Sequence, residues 1–456
     1  MWPLLSPLNE TKLEGATRIQ EENIAAAKSQ EIDLQIEKDK LEAQKKRRPV
    51  RILLLGQRGS GKSTILKSLQ SRFAPIAFKE DSFAWCIVIH LNLVSTVNHI
   101  LDLLPPTSPA QPHDGGGRSS RNGVDPDSRS TDEIERLRMQ LRPLREVEIV
   151  LSKRPTTGKR PSRGPSSTTL GSDQPSFKSA DVVIRFGSRW KAVSKLHGTG
   201  RRDQMHEMRQ IIAACCPDIV SLWENDTVQS AISGHEEFQE HPTTFFLNNA
   251  LRICQTGYEP TVDDILRTHL ATLGVEEHHL ALEGGQIEQQ NQEWVIYDVS
   301  GSRTQRAAWV PYFDNVTIIM FVVPLSAFNQ VLDEDIPMNG LFDSFQLWRT
   351  ICNSKILAGV AFIVIFNKQD LLAKKIEAGI QFKDFVTSYK DKLNDAQSIS
   401  QYLRRKFVGI YKEVSPVNRP LFSHVMCAID GQAASSILIY IHEILLRGHL
   451  EETELM

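Results

Sequence analysis

Gly56-Gln57-Arg58-Gly59-Ser60-Gly61-Lys62-Ser63-Thr64 is the stretch that decides how this chain is read. It follows Val50 to Leu55, a run of Leu and β-branched residues that reads as a buried strand, and it precedes a helical run. In that context G-x-x-x-x-G-K-[ST] is a phosphate-binding loop. Backbone N–H groups of such a loop point inward at a β-phosphate, and the helix N-terminus adds positive potential. Lys62 is expected to reach the β- and γ-phosphates, and Ser63 to bind Mg²⁺ through its hydroxyl.

Two further motifs close strands downstream. Asn367-Lys368-Gln369-Asp370 follows the apolar run Val360 to Phe366. In N-K-x-D the Asp carboxylate accepts from guanine N1–H and from the exocyclic amino group, which adenine cannot supply, and the Lys stem lies along the base. Such a site discriminates strongly, because the wrong base leaves buried groups unpaired. Asp298-Val299-Ser300-Gly301 follows the run Trp294 to Tyr297. In D-x-x-G the Asp holds Mg²⁺ through water and the Gly N–H meets the γ-phosphate. Phosphate loop, D-x-x-G and N-K-x-D, in this order, are the order of a GTPase.

Val316 to Val323 and Leu421 to Met426 bring the apolar runs to five, four of them after residue 290. Separated by helical stretches, they predict a parallel sheet covered on both faces, with its first strand parted from the rest by a long insertion. Within the insertion, Pro105 to about Ala180 is rich in Pro, Ser, Gly, Thr and Arg. It is expected to be mostly disordered, with Asp132 to Val150 as a candidate charged helix. The flanks, Phe83 to Leu104 and Asp181 to Leu266, read as helical. Upstream, Leu13 to Arg48 is highly charged, with a sparse apolar stripe at Ile24, Ile32, Ile36 and Leu41 that needs a partner to be stable as a helix. Its basic end, Lys45-Lys46-Arg47-Arg48, is either a solvated helix terminus or a weak contact for anionic lipid headgroups.

The 456 residues suggest about three domain-sized units. Lys+Arg 53 against Asp+Glu 55 leaves a net charge of −2, which gives no support to a nucleic-acid surface. The six cysteines fit neither a disulfide framework nor a zinc spacing. No apolar run approaches the roughly 18 residues of a membrane span. Met1-Trp2-Pro3-Leu4-Leu5 lacks the basic region of a secretory signal. The expectation is a soluble chain of a reducing compartment.

Asp298 lies 235 positions after Ser63, a spacing far longer than a small GTPase needs. Here the chain resembles the α subunit of heterotrimeric G proteins, in which a helical domain is inserted between these motifs. Ser29 to Asp39 resembles the family's N-terminal helix, Leu222 to Gln229 its helical domain, Tyr258 to Arg267 the linker back, and Cys427-Ala428 the base-contacting turn. The resemblance implies an α/β P-loop GTPase (Ras-like) fold, with a mixed, mostly parallel sheet and an inserted all-α helical domain. It implies an N-terminal helix at 1–48 that contacts βγ, a GTPase domain at 49–72 and 268–456, and a helical domain at 73–267. The implied nucleotide contacts for GTP or GDP are Arg58, Gly59, Ser60, Gly61, Lys62, Ser63, Thr64, Leu266, Arg267, Thr272, Asp298, Gly301, Asn367, Lys368, Asp370, Cys427 and Ala428. Mg²⁺ would be held by Ser63, Thr272 and, through water, Asp298. The implied role is that of a transducer downstream of a G protein-coupled receptor.

Three departures from the family bear on hydrolysis. Ser302 stands where the family has the Gln that orients water, and Ser is too short for that reach. His269 stands at the catalytic Arg, replacing a permanent charge and a donor fork with an imidazole. An Arg supplied in cis or trans is worth about 10³–10⁵ in GTPase rate. Arg58 replaces a Gly whose bareness leaves room beside the γ-phosphate, and Gly59 a usual Glu. Arg58 either crowds the attacking water or points inward as a substitute charge. The expectation is a GTPase that binds GTP·Mg²⁺ and hydrolyses it slowly; the alternative is a non-hydrolysing GTP-binding interaction protein. A P-loop ATPase or kinase is opposed by Asn367 to Asp370.

Milder departures are Met426 and Ile429 beside the base turn, and His241-Pro242 where the helical domain offers an Asp-Ser pair. By resemblance, the second switch runs from Ser300 to Trp309, with Arg306 placed to pair with Asp343. The implied partners are a βγ dimer and a receptor, the latter through about Ala433 to Met456, whose acidic end departs from the family. Trp2 stands where N-myristoylation needs Gly, and no Cys precedes Cys86. The chain is therefore expected to be cytoplasmic, reaching the inner face of the plasma membrane only through partners.

Overall fold

The computed structural model describes residues 27–30, 32–34, 49–104, 126–152, 199–235, 238, 243–269, 272, 274–281, 283, 293–332, 338–430 and 433–452. The expectations for most of 1–48, for 105–125, for 153–198, for His241-Pro242 and for the last four residues fall outside them.

A six-stranded sheet organises one half of the molecule. Its strands are β1 (Val50–Leu55), β2 (Val275–Ala281), β3 (Glu293–Val299), β4 (Ile318–Pro324), β5 (Ala361–Asn367) and β6 (Leu421–Val425), in the order β2-β3-β1-β4-β5-β6. All neighbours run parallel except β2 and β3. The five apolar runs are β1 and β3 to β6. The sixth strand, β2, escapes hydropathy because Val-Glu-Glu-His-His-Leu-Ala is an edge strand with one neighbour and a largely polar surface.

Side-chain alternation splits β1 between two cores. Leu53 and Leu55 join Phe321, Trp348, Phe366 and Phe407 on one face. Helices α3 (Gly340–Cys352) and α5 (Ala396–Val414) contribute Trp348 and Phe407 to it. Ile52 and Leu54 face the other way, onto α1 (Lys62–Phe73) and α6 (Ala433–Glu452). Helix α4 (Gln369–Glu377) follows β5 on the first face.

The insertion has its own core around α2 (Ser82–Leu103). This helix is long and apolar enough to cross a bilayer, but its side chains fill the centre of the helical unit. Within 105–180 the structure describes residues 126–152, which extend past the candidate helix Asp132 to Val150 at both ends. They form helices Pro126–Gln140 and Pro143–Ser152, so the candidate single helix Asp132 to Val150 is broken at Pro143. Ile134, Leu137, Leu141, Leu144, Val147 and Leu151 are buried against α2 and its neighbours. That apolar stripe supplies the burial which the Pro- and Ser-rich composition of the surrounding sequence conceals.

The chain returns through Tyr258 to Leu266. Asp264 is fully buried and accepts from both terminal nitrogens of Arg252 (2.7 and 2.8 Å), from the Tyr258 hydroxyl (2.8 Å) and from Thr261 N–H (2.9 Å). Burial pushes its pKa up, but the guanidinium and these donors outweigh that and hold it at about 2.

Candidate functional site

The site lies beyond the carboxyl ends of the parallel strands, where β1, β3 and β5 release their motif-bearing loops. Register aligns them: Leu54 pairs with Asp298, Leu55 with Phe321, and Pro324 with Asn367.

Close approach explains two glycines. A Cβ on Gly61, whose φ is +99°, would meet Asn367 Nδ2 at 2.1 Å. A Cβ on Gly301 would lie 2.3 Å from the backbone of Gln57 and Arg58, so the D-x-x-G glycine sits directly on the phosphate loop. Asn367 ties the base side to the phosphate side. Its Nδ2 donates to Ser60 O and its Oδ1 accepts from Ala428 N–H, both at 2.9 Å. Lys368 holds a left-handed φ of 64° at the start of α4. The Cys427 thiol is pushed up to about 12 by burial and by the Asp370 carboxylate to which it hydrogen-bonds, so it faces the base side as a neutral group. Arg267 lies near Asp370 and Cys427, is paired with Asp263, and stacks over the Phe245 ring at 4.5 Å.

Lys62 is buried, and its Nζ donates to Gly56 O (3.0 Å) and Gln57 O (2.9 Å). Desolvation lowers its pKa to about 8, against the pull of Asp298. Thr272 and Ser63 converge on one carboxylate oxygen. Ser63 Oγ donates to Asp298 Oδ2 at 2.5 Å, Thr272 Oγ1 to the same oxygen at 3.3 Å, and the two hydroxyls are 3.0 Å apart. The other oxygen, Asp298 Oδ1, is buried and accepts no hydrogen bond from the described residues. Three clustered oxygen donors with an unpaired carboxylate oxygen suit a hard divalent cation such as Mg²⁺.

At the positions expected to bear on hydrolysis, Ser302 Oγ is 2.9 Å from Thr304 Oγ1, a local contact. The backbone of His269 is clamped by a buried helical-domain residue: Asn92 Oδ1 accepts from His269 N–H (2.9 Å) and Asn92 Nδ2 donates to His269 O (3.0 Å). Arg58 and Gly59 are exposed, Leu266 is buried, and Thr64 lies in the first turn of α1. Arg306 forms a bidentate pair with the buried Asp343 on α3 (3.0 and 2.5 Å), and Trp309 is buried with Nε1 donating to Ser300 O at 3.1 Å.

Several residues of the site lie outside the motif reading. Gln57 is buried, and its Oε1 accepts from Ser344 Oγ on α3 at 3.2 Å. Lys67 donates to Ile265 O (3.0 Å), Thr268 O (2.9 Å) and Thr268 Oγ1 (2.8 Å), tying α1 to the returning linker. Burial lowers its pKa to about 7. Asn92 stands out in the sequence as a polar residue within the long apolar run of α2, but nothing in its surroundings names its partner, and Lys67 lies among the polar residues Ser63, Thr64, Gln70 and Ser71.

The profile of the G-protein alpha subunit family matches residues 26–445. The chain belongs to the G-protein alpha subunit family. Among its relatives is a guanine nucleotide-binding protein alpha-4 subunit of Mycosarcoma maydis, 27% identical over 99% of this chain and 94% of that protein. A guanine nucleotide-binding protein subunit alpha of Coprinellus congregatus is 26% identical over 95% and 97%. An alpha-15 subunit of Caenorhabditis elegans is 31% identical, over 52% of this chain and 63% of that one. These low identities make the chain a divergent G-protein α subunit, guanine nucleotide-binding, with the GTPase and helical domains of its family.

Proposed function

We propose that this α subunit binds GTP together with Mg²⁺ and hydrolyses it slowly, staying in its GTP-bound state long after each activation. The observation that carries this reading is a contrast within one site. The groups suited to the nucleotide and the cation, from Gly61, Lys62 and Ser63 to Asp298, Asn367 and Ala428, are braced against one another. The two positions that would drive hydrolysis carry Ser302, hydrogen-bonded locally, and His269.

Ser63, Thr272 and Asp298 would hold Mg²⁺, which when bound neutralises charge on the β- and γ-phosphates. Lys62, buried and lowered toward neutrality, gains a strong reason to stay protonated when phosphate oxygens replace the two loop carbonyls. Asp370 would read the guanine edge, with Cys427-Ala428 against the base. Arg306 and Asp343 would lock the second switch when the γ-phosphate orders it.

Single-turnover phosphate release from the purified chain tests this. The expected rate is well below that of family members that carry Gln and Arg at these positions; an equal rate overturns it. No release at all favours the non-hydrolysing alternative. We further infer that a receptor and a βγ dimer are its signalling partners and that it meets the plasma membrane through them. Its recovery with membranes only when βγ is co-expressed would support this, and recovery with protein-free vesicles would oppose it.

A further inference from the structure

One side chain joins the two switch segments. Gln305 is the sole glutamine between Ser300 and Trp309, and its Oε1 accepts from Gly274 N–H at 2.9 Å. The carbonyl of the same glycine accepts from Ser300 N–H at 2.8 Å. Both backbone polar groups of Gly274 are therefore held by the segment that follows Asp298. Gly274 has a left-handed φ of +73° and stands between Thr272 and the first residue of β2. Two residues upstream, the Thr272 hydroxyl lies 3.0 Å from Ser63 Oγ and 3.3 Å from Asp298 Oδ2. Only one residue separates Gly274 from Thr272, so holding Gly274 limits where that hydroxyl can lie. The segment that presents Gln305 is itself anchored, by Arg306 on Asp343 and by Trp309 on Ser300 O.

We propose that Gln305 is a positioning residue through which order in the second switch imposes order on the first. The proposal rests on the reading of Thr272 as a cation ligand. Gln305 does not stand in for the water-orienting glutamine, because its amide oxygen is committed to Gly274. Its effect is that Thr272 and the Arg306–Trp309 segment settle as one unit, in one Mg²⁺-dependent step.

The test follows tryptophan emission of the full chain, with Trp309→Phe to assign the signal. Mg²⁺ is titrated in the presence of a non-hydrolysable GTP analogue. Gln305→Leu keeps the volume and removes the acceptor; Gln305→Glu keeps the acceptor. The leucine variant should need about two- to tenfold more Mg²⁺ for half of the change, the equilibrium equivalent of one neutral hydrogen bond. The glutamate variant should lie within about twofold of the parent, and GDP affinity should not change in either. Should the leucine variant not fold, Gln305→Ser, too short to reach Gly274, carries the same expectation. A parent-like titration for the variant lacking the acceptor overturns the coupling, as does equal weakening of GDP and analogue binding, which marks a purely structural role. A parent chain with no Mg²⁺-dependent response overturns the cation-ligand reading instead.

Discussion

Replacing Asn367 by Leu probes the brace between the base side and the phosphate side of the site. Asn367 is 3% exposed, and its amide makes two hydrogen bonds of 2.9 Å, to Ser60 O and from Ala428 N–H. Leu has a similar volume and can make neither. Two backbone groups are then left without these partners, at about 1–3 kcal/mol for each buried group. Water and the nucleotide recover some of that, so the loss should fall near the lower end, about 2–3 kcal/mol. At about 1.4 kcal/mol per decade, GDP affinity should drop roughly 30- to 150-fold. Gly61 should suffer as well, because it packs directly on the Asn367 amide. The assay is dissociation of a fluorescent GDP analogue, with thermal unfolding of the nucleotide-saturated protein as a control on folding. Asn367→Asp separates the two halves of the brace: it keeps the acceptor for Ala428 and turns a carboxylate oxygen toward Ser60 O. It should release GDP at least as fast as the leucine variant. A leucine variant within threefold of the parent refutes the reasoning, for the two bonds would then hold nothing that the nucleotide feels.

Asp264→Asn should cost about 2–3 kcal/mol in chemical unfolding at pH 7, from a folded pKa of about 2 against about 3.9 unfolded. Because that pKa is depressed, the contribution is present above about pH 4 and is lost as pH falls toward 2, where parent and variant should converge. Lys67 has the opposite sign. Its folded pKa of about 7 lies below the unfolded value of about 10.4, so below pH 7 both states are protonated and burial carries its full cost. As pH rises from 7 toward 10 the folded state alone sheds the proton, and stability should rise by up to about 1.4 kcal/mol per pH unit. Lys67→Met should flatten that rise in melting curves taken at pH 7 and 9. Finally, His269→Arg combined with Ser302→Gln should raise single-turnover phosphate release by at least about 100-fold, given the 10³–10⁵ that an arginine supplies in this chemistry.

The parts of the fold legible in the sequence are those with strong local signatures. Strands β1, β3, β4 and β5 announce themselves because they lie inside the sheet and carry nearly continuous apolar residues, and the half-buried edge strand β6 because Leu421, Phe422 and Val425 keep it apolar enough to read. β2 does not, because an edge strand exposes His279 and Glu277 and needs no apolar alternation. Helices 126–140 and 143–152 were legible only as one candidate helix from Asp132 to Val150, since their apolar stripe is diluted by charged residues and flanked by Pro- and Ser-rich sequence. The phosphate-loop, D-x-x-G and N-K-x-D residues were legible because backbone geometry restricts which residues can stand there, as the crowding around Gly61 and Gly301 makes plain. Gln57, Lys67, Asn92 and Gln305 were not, because their partners are backbone groups or hydroxyls between 31 and 287 residues away, and no local pattern encodes such a pairing.

The same geometry supports the proposed separation of binding from hydrolysis in one site. Asn367, Asp298 and Gly61 each touch another loop, so changing any of them disturbs the shape that the nucleotide requires. Position 269 is different. Asn92 grips its N–H and its carbonyl, groups that every residue but proline possesses, and Lys67 holds the carbonyl of Thr268 just before it. The path of the chain there is held through backbone groups. Ser302 likewise satisfies itself on Thr304 without reaching across the site. Histidine and serine are therefore accommodated at positions 269 and 302 with the phosphate loop and the Thr272–Ser63–Asp298 cluster intact. For the same reason, an arginine restored at 269 would emerge from a backbone already held in place, and only the chemistry of the side chain would change.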